Sequence, residues 1–268
     1  MSSRAPPPGV TPTPPPWSLR AKLYVFISSL KPVNSEDPVL RGLPPGSYNP
    51  SETLHPSALA LLNGSPQWNG GRAVVVLARY DHSPVGPYDE LIMTCKGFSN
   101  PYQKGTSGRI TNIYVSSLQS AWNGRKNWNI PEHLARFKFV PSGPNTSDFE
   151  VSLPDVEEPF FTASLTDSRL PAIPISPRIV RAFTGLVQPP LLSELPEDTQ
   201  ITTNDEWLSI APLHDGRWQL AYIHPSEGGH ASYGDGLHFP QFKSFWIGAK
   251  FTGTLQYPNS VQLRTTVE

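Results

Sequence analysis

The chain has 268 residues, enough for one large domain with a real hydrophobic core. Its net charge of -1 gives no electrostatic reason to expect a nucleic acid or an anionic membrane as partner. The single cysteine, Cys95, excludes an intramolecular disulfide, and 32 prolines argue against long helices and for strands, turns and long loops.

Residues 1–16 form a Pro/Ser/Thr arm with no apolar core of a secretory signal, and Pro14-Pro15-Pro16 suits an extended polyproline conformation. A surface-draped arm is expected, with a proline-rich ligand for another domain as the alternative. From Trp17 onward Leu19, Ala21, Leu23, Val25 and Ile27 alternate with Arg20, Lys22, Tyr24, Phe26 and Ser28, the period-two pattern of a strand. Residues 31–71 are rich in Pro, Gly, Ser and Asn, with one plausible helix around Ser57 to Leu62.

Strands are predicted over Arg72–Tyr80, Glu90–Lys96 and Arg109–Val115, with Gly- and Pro-bearing turns that suit antiparallel connections. Pro131–Phe137 reads as a short helix, with proline at its first position and Glu132 in its first turn. Phe137–Val140 and Phe149–Leu153 read as a hairpin, followed by a strand over Phe160–Leu165. Residues 166–206 form a long Pro/Ser/Thr-rich stretch, and Trp218–Ile223 and Lys250–Tyr257 are late strands. No βαβ alternation or internal repeat is visible. A mainly β (α+β) domain over residues 17–268 follows, mostly antiparallel and with few short helices. No run approaches the roughly 18 apolar residues that cross a bilayer, so a cytoplasmic protein is expected.

Four segments in order resemble the acetoacetate decarboxylase superfamily, in its fungal branch. They are Pro16 to Tyr24, Tyr80 to Glu90, Arg109 to Val115 and Gly124 to Phe137; the second (Tyr-Asp-His-Ser-Pro-Val-Gly-Pro-Tyr-Asp-Glu) and the fourth (Gly-Arg-Lys-Asn-Trp-Asn-Ile-Pro-Glu-His-Leu) are specific. The resemblance implies a twisted antiparallel sheet curled into a cone or barrel around an apolar pocket. In that family the fourth segment carries a lysine pair whose first member forms a Schiff base, its pKa lowered by an apolar cavity and a neighbouring cation. Here the pair falls on Glu132 and His133, and Glu132 cannot form an imine. The family's cavity glutamate falls on Glu90, its early arginine on Lys22 and its motif arginine on Arg125.

The resemblance therefore implies a pocket and removes the obvious reaction. Glu90, Glu132 and His133 are candidate acid–base residues, because a desolvated carboxylate or an imidazole titrates near neutrality. Lys22, Arg125, Tyr88 and Tyr114 are candidate substrate-binding residues. Each has a plainer alternative: an exposed turn glutamate at Glu90, a helix-end charge at Glu132, a solvated lysine at Lys22, a structural ion pair at Arg125. The expected activity is non-imine dehydration, isomerisation, cyclisation or lyase chemistry on a hydrophobic oxygenated substrate of fungal secondary metabolism. A non-catalytic carrier of such a metabolite and a Schiff-base enzyme using Lys22 are the alternatives. No cofactor is expected, and the spacings of His214, His224, His230 and His238 fit no compact zinc pattern. Assembly into homo-oligomers is expected from the family.

Overall fold

The computed structural model describes residues 5–33, 42–53, 68, 70–100, 102–177, 180, 185–191, 206–226, 232–242 and 244–263. The first strand, β1 (Trp17–Leu30), follows the sequence alternation: Leu19, Ala21 and Leu23 are buried on one side while Ser18, Arg20 and Lys22 are exposed on the other. It pairs with β2 (Gly71–His82), which continues through β3 (Tyr88–Asn100) to β4 (Gln103–Val115), all antiparallel. The predicted strands over Arg72–Tyr80, Glu90–Lys96 and Arg109–Val115 lie inside these three.

Among the described residues two helices accompany the strands, α1 (Pro50–Thr53) and α2 (Leu118–Trp128). After them come β5 (Glu132–Leu134), β6 (Arg136–Gly143), β7 (Thr146–Ser152), β8 (Phe161–Asp167), β9 (Ile173–Pro174), β10 (Leu186–Gln188), β11 (Trp207–Ile210), β12 (Leu213–His224), β13 (Ser244–Tyr257) and β14 (Val261–Leu263). The strands form one open, curled sheet in the order β14-β11-β10-β4-β3-β2-β1-β13-β12-β8-β7-β6, with β5 added beside β4 and β9 beside β12. The architecture is mainly β, as the sequence implies. Among the described residues no helix is long and apolar enough to cross a membrane.

The sequence reading misplaces the helix. Pro131–Phe137 is not helical: Glu132–Leu134 pairs in parallel with Ile113–Val115 of β4, and β6 begins at Arg136. The helix lies before the proline. Ser117 caps its start by accepting from the Ser120 amide, and Asn129, in the left-handed region at φ 54, ends it by sending its amide to the Arg125 and Gly124 carbonyls. A proline just past a helix end and a proline at a first turn look alike in sequence. The β4–α2–β5 connection is thus one parallel crossover in a sheet expected to be antiparallel. The helix proposed around Ser57 to Leu62 lies outside the described residues.

Both faces of the central strands are covered, so odd and even positions feed different cores. Val75, Leu77, Leu91, Met93, Phe149 and Phe161 belong to one cluster; Leu19, Leu23, Ala78, Ile92, Ile113, Trp128 and Leu255 belong to the other, against α2. The N-terminal arm is fastened to the outside of α2. Gln119, Asn123 and Asn127 lie at i, i+4 and i+8, and their amides exchange hydrogen bonds with the backbone at Thr11 and Thr13.

Candidate active site

Glu90 sits on β3 opposite Ala78 of β2 and Val115 of β4, facing the α2 side of the sheet, and is only 4% exposed. The Tyr80 hydroxyl donates to its Oε2 at 2.6 Å. Burial raises the Glu90 pKa to about 7, against the opposing effect of the Tyr80 hydrogen bond.

Glu132 reaches the same region from β5. Its Oε2 accepts from Ser120 Oγ of α2 at 3.1 Å, and the side chain is equally buried. The carboxyl lies against the helix backbone at Gly124: a Cβ there would overlap Oε1 and Cδ and stand 3.0 Å from Oε2. This glycine is a matter of space, because any side chain would occupy the site of the carboxyl. Burial, and then the charge of Glu90, drive the Glu132 pKa well above the usual carboxylate range, with the Ser120 hydrogen bond and the Arg125 charge opposing. The two carboxyls therefore do not ionise together at neutral pH: Glu132 keeps its proton and Glu90 titrates. Three tyrosines complete the surroundings. Burial and the field of Glu90 raise Tyr80, Tyr88 and Tyr257, and Glu132 adds to this at Tyr88 and Tyr257, so all three are neutral proton donors at pH 7.

An apolar cavity of about 120 Å³ reaches these surroundings through Tyr80 and Tyr257, while neither carboxyl lines it. Its walls include Leu23, Val25, Val74, Val76, Ile92 and Ile110, and both Tyr80 and Tyr257 line it. Tyr80 thus touches the cavity and Glu90 at once.

The neighbouring side chains serve a second cluster. Successive residues of a strand point to opposite faces, so His133 turns away from Glu132. Its Nε2 lies 2.9 Å from Glu52 Oε1, and Arg125 Nη1 bonds the same oxygen. Burial would push the Glu52 carboxyl up, but the Arg125 charge and the His133 contact outweigh it and hold the carboxyl ionised well below the usual range. Burial lowers His133 more than Glu52 raises it, so the imidazole is neutral at pH 7. Arg125 is fully buried in this ion pair. Tyr114 is tied into the other face, where its hydroxyl accepts from Asn49 Nδ2 at 3.1 Å and donates to the His238 carbonyl at 3.0 Å.

Of the candidates read from sequence, Glu90, Glu132 and Tyr88 come together. His133 and Arg125 lie next door, on Glu52. Tyr114 is on the opposite side of the sheet. Lys22 is at the surface, with its side chain 53% exposed and 3.6 Å from Asp81. The sequence reading missed Tyr80, Ser120, Tyr257 and Glu52. Tyr80 was within reach, since Ala78 and Tyr80 share a strand face by period two. Glu52, in a Pro/Gly-rich stretch, carries no such signal. Among the described residues no group of three or more His, Cys, Asp or Glu is placed to hold a metal ion.

The fold is that of acetoacetate decarboxylase-like proteins. The acetoacetate decarboxylase of Legionella pneumophila subsp. pneumophila str. Philadelphia 1 superposes with a TM-score of 0.58 over 99% of this chain and 94% of that one, at 12% identity. The enduracididine biosynthesis enzyme MppR, complexed with the condensation product of pyruvate and imidazole 4-carboxaldehyde, superposes with a TM-score of 0.56 over 98% of each chain, at 14% identity. In sequence, Protein NEOXANTHIN-DEFICIENT 1 of Oryza sativa subsp. japonica is 36% identical over 61 residues, 23% of this chain; the match spans 20% of the rice protein's length. No protein-family model matches the chain.

Proposed function

We propose that this chain is a small-molecule enzyme that moves protons about a carbonyl or enol of a hydrophobic, oxygenated substrate, with Glu90 and Glu132 as its acid–base pair. One observation carries the reading: two buried carboxyls are held apart in protonation by their shared burial and charge, and Tyr80 links one of them, Glu90, to an apolar cavity. A base poised near neutrality beside a protonated acid is what enolisation needs.

In the proposed step ionised Glu90 takes a proton from the carbon next to a substrate carbonyl. The C–H electrons form the new C=C bond as the carbonyl oxygen takes a proton from Glu132, while the single O–H of Tyr80 stays on Glu90. Return of the proton to another carbon gives isomerisation; loss of a β-hydroxyl as water, protonated as it leaves, gives dehydration. No imine is involved. Lys22, the amine named for an imine route, lies on the solvent side of β1 beside Asp81 and away from the cavity.

The fold neighbours support a carbonyl substrate in kind: one is an acetoacetate decarboxylase, and MppR is complexed with pyruvate in another structure. The setting proposed with the activity is fungal secondary metabolism in the cytoplasm, with self-assembly into homo-oligomers, and rests on the sequence resemblance. The rival reading, a carrier without chemistry, draws on the apolar lining of the cavity. Proton–deuterium exchange at the α-carbons of a bound ketone separates the two. An enzyme of this kind catalyses it and loses it in Glu90→Gln with ketone affinity retained; a carrier binds the ketone and exchanges nothing.

A further inference from the structure

The side of the sheet away from Glu90 carries a cleft of about 610 Å³, lined from Leu153 to Thr162 and from Ser232 to His238. That volume is in the range that holds small ligands. The link between the two sides is Tyr114. It faces away from Val115, the cross-strand neighbour of Glu90, and its hydroxyl donates to the His238 carbonyl.

His238 is held on every side but one. Its carbonyl also accepts from Asn112 Nδ2 at 2.6 Å, and its ring lies 5.6 Å from that of Phe160. Its Nδ1 lies 2.7 Å from Asp235 Oδ2. The other oxygen of that carboxyl accepts the amides of Leu237, His238 and Phe239 at 2.9, 2.8 and 3.1 Å. The backbone around the pair has little freedom. A Cβ on Gly234 would fall 2.4 Å from the Phe239 carbonyl oxygen, and Thr162 of β8 sends its amide to the Tyr233 carbonyl.

Burial would raise the Asp235 carboxyl, but the His238 contact and the three amides outweigh it and hold the pKa below its usual value. An ionised carboxylate only accepts, so Nδ1 carries the ring proton and the lone pair of the neutral ring falls on Nε2. Nε2 has no hydrogen-bond partner among the described residues, and the side chain keeps 23% of its surface open. The charges of the cleft narrow what can use this acceptor. Asp235 and the exposed Glu158 line it, and no Lys or Arg does among the described residues. Phosphates and carboxylates are therefore repelled. Phe160, Phe161 and Tyr233 supply aromatic walls for a flat ring. A hydroxyl on such a ring is more acidic than an aliphatic one and donates more strongly.

We propose that this cleft is a second ligand site, for a neutral phenol whose O–H donates to Nε2 of His238 while its ring lies against Phe160. Asp235 is a positioning residue that fixes the tautomer in which Nε2 accepts. The site is independent of the proton transfer proposed for Glu90, from which the sheet separates it.

The test measures binding of 2-naphthol and 2-methoxynaphthalene by equilibrium dialysis at pH 7. The two share a ring system, and apolar contact alone favours the ether, which buries one more methyl group. The wild-type protein instead prefers the naphthol about tenfold, and binds 2-naphthoate more weakly than either. His238→Phe keeps a ring beside Phe160 and loses the preference for the naphthol. Asp235→Asn keeps an acceptor oxygen for the three amides but offers Nδ1 a donor, which moves the ring proton to Nε2. Its two affinities fall within twofold of each other, whereas an Asp235 that only closed the turn would leave the preference intact. No preference in the wild type, a preference that survives either variant, or 2-naphthoate binding as tightly as 2-naphthol overturns the proposal.

Discussion

Replacing Gly124 by alanine tests the position of the Glu132 carboxyl without needing a substrate. Glycine in a helix interior ordinarily costs about 1 kcal/mol relative to alanine, so the change should stabilise α2 by that amount. Here the added methyl falls on the Glu132 carboxyl, overlapping Oε1 and Cδ. The carboxyl must turn away, leaving its hydrogen bond from Ser120 and entering a packed region. Overpacking of this kind costs about 1–3 kcal/mol, and the lost hydrogen bond adds about 1 kcal/mol. The expected net effect of Gly124→Ala is a loss of about 1–3 kcal/mol, opposite in sign to the propensity rule. In a Glu132→Ala background the obstacle is gone, and the same substitution should gain about 1 kcal/mol. Urea denaturation of the four proteins gives a coupling of about 2–4 kcal/mol. Stabilisation by Gly124→Ala in the wild type would mean that the carboxyl does not lie over the helix, and the site would have to be redrawn.

Further outcomes follow from the same geometry. The folded pKa of Glu90 is raised from 4.5 to about 7, so its contribution to stability is complete below pH 4.5 and is lost as pH rises toward 7. At about 1.4 kcal/mol per pH unit this is about 3 kcal/mol, and Glu90→Gln should flatten that slope in urea midpoints measured from pH 4.5 to 7; an unchanged slope would exclude a buried titrating Glu90. Arg125→Met leaves the buried Glu52 carboxylate without its cation and should cost about 3–5 kcal/mol; a loss under 1 kcal/mol in the same assay would contradict the buried ion pair. Asn123→Ala removes the amide that both donates to Thr11 and accepts from Thr13, and should make residues 1–16 sensitive to limited proteolysis while the rest of the chain stays intact.

Strands were legible wherever one covered face imposed a period of two, as in β1 and β2, because alternation survives any detail of packing. Glu90 and Glu132 were legible through their motifs, and Tyr88 through its place beside Glu90. The helix was misplaced because Pro131 gives the same signal after a helix as at its start, and only the hydrogen bonds of Glu132–Leu134 to β4 decide between them. That error also hid the division of labour in Glu132-His133. As neighbours on a strand they face opposite sides, which separates a carboxyl bound to Ser120 from an imidazole bound to Glu52. Lys22 was expected at the cavity from motif position, but its parity with Arg20 on β1 places it in solvent. Glu52, Ser120 and Tyr257 come from distant parts of the chain, and their contacts depend on the curl of the sheet, which no local pattern encodes.

The central claim is that Glu90 moves a proton in the cavity. The most direct measurement is the rate at which the protein exchanges the α-hydrogens of 2-octanone with deuterated solvent at pH 7, followed by NMR in the wild type and in Glu90→Gln. The expected result is exchange well above the buffer rate in the wild type and a fall of about 10²–10⁴-fold in the variant, with ketone affinity within twofold. Exchange that persists in Glu90→Gln, or a wild-type protein that binds the ketone and leaves its hydrogens in place, would contradict it.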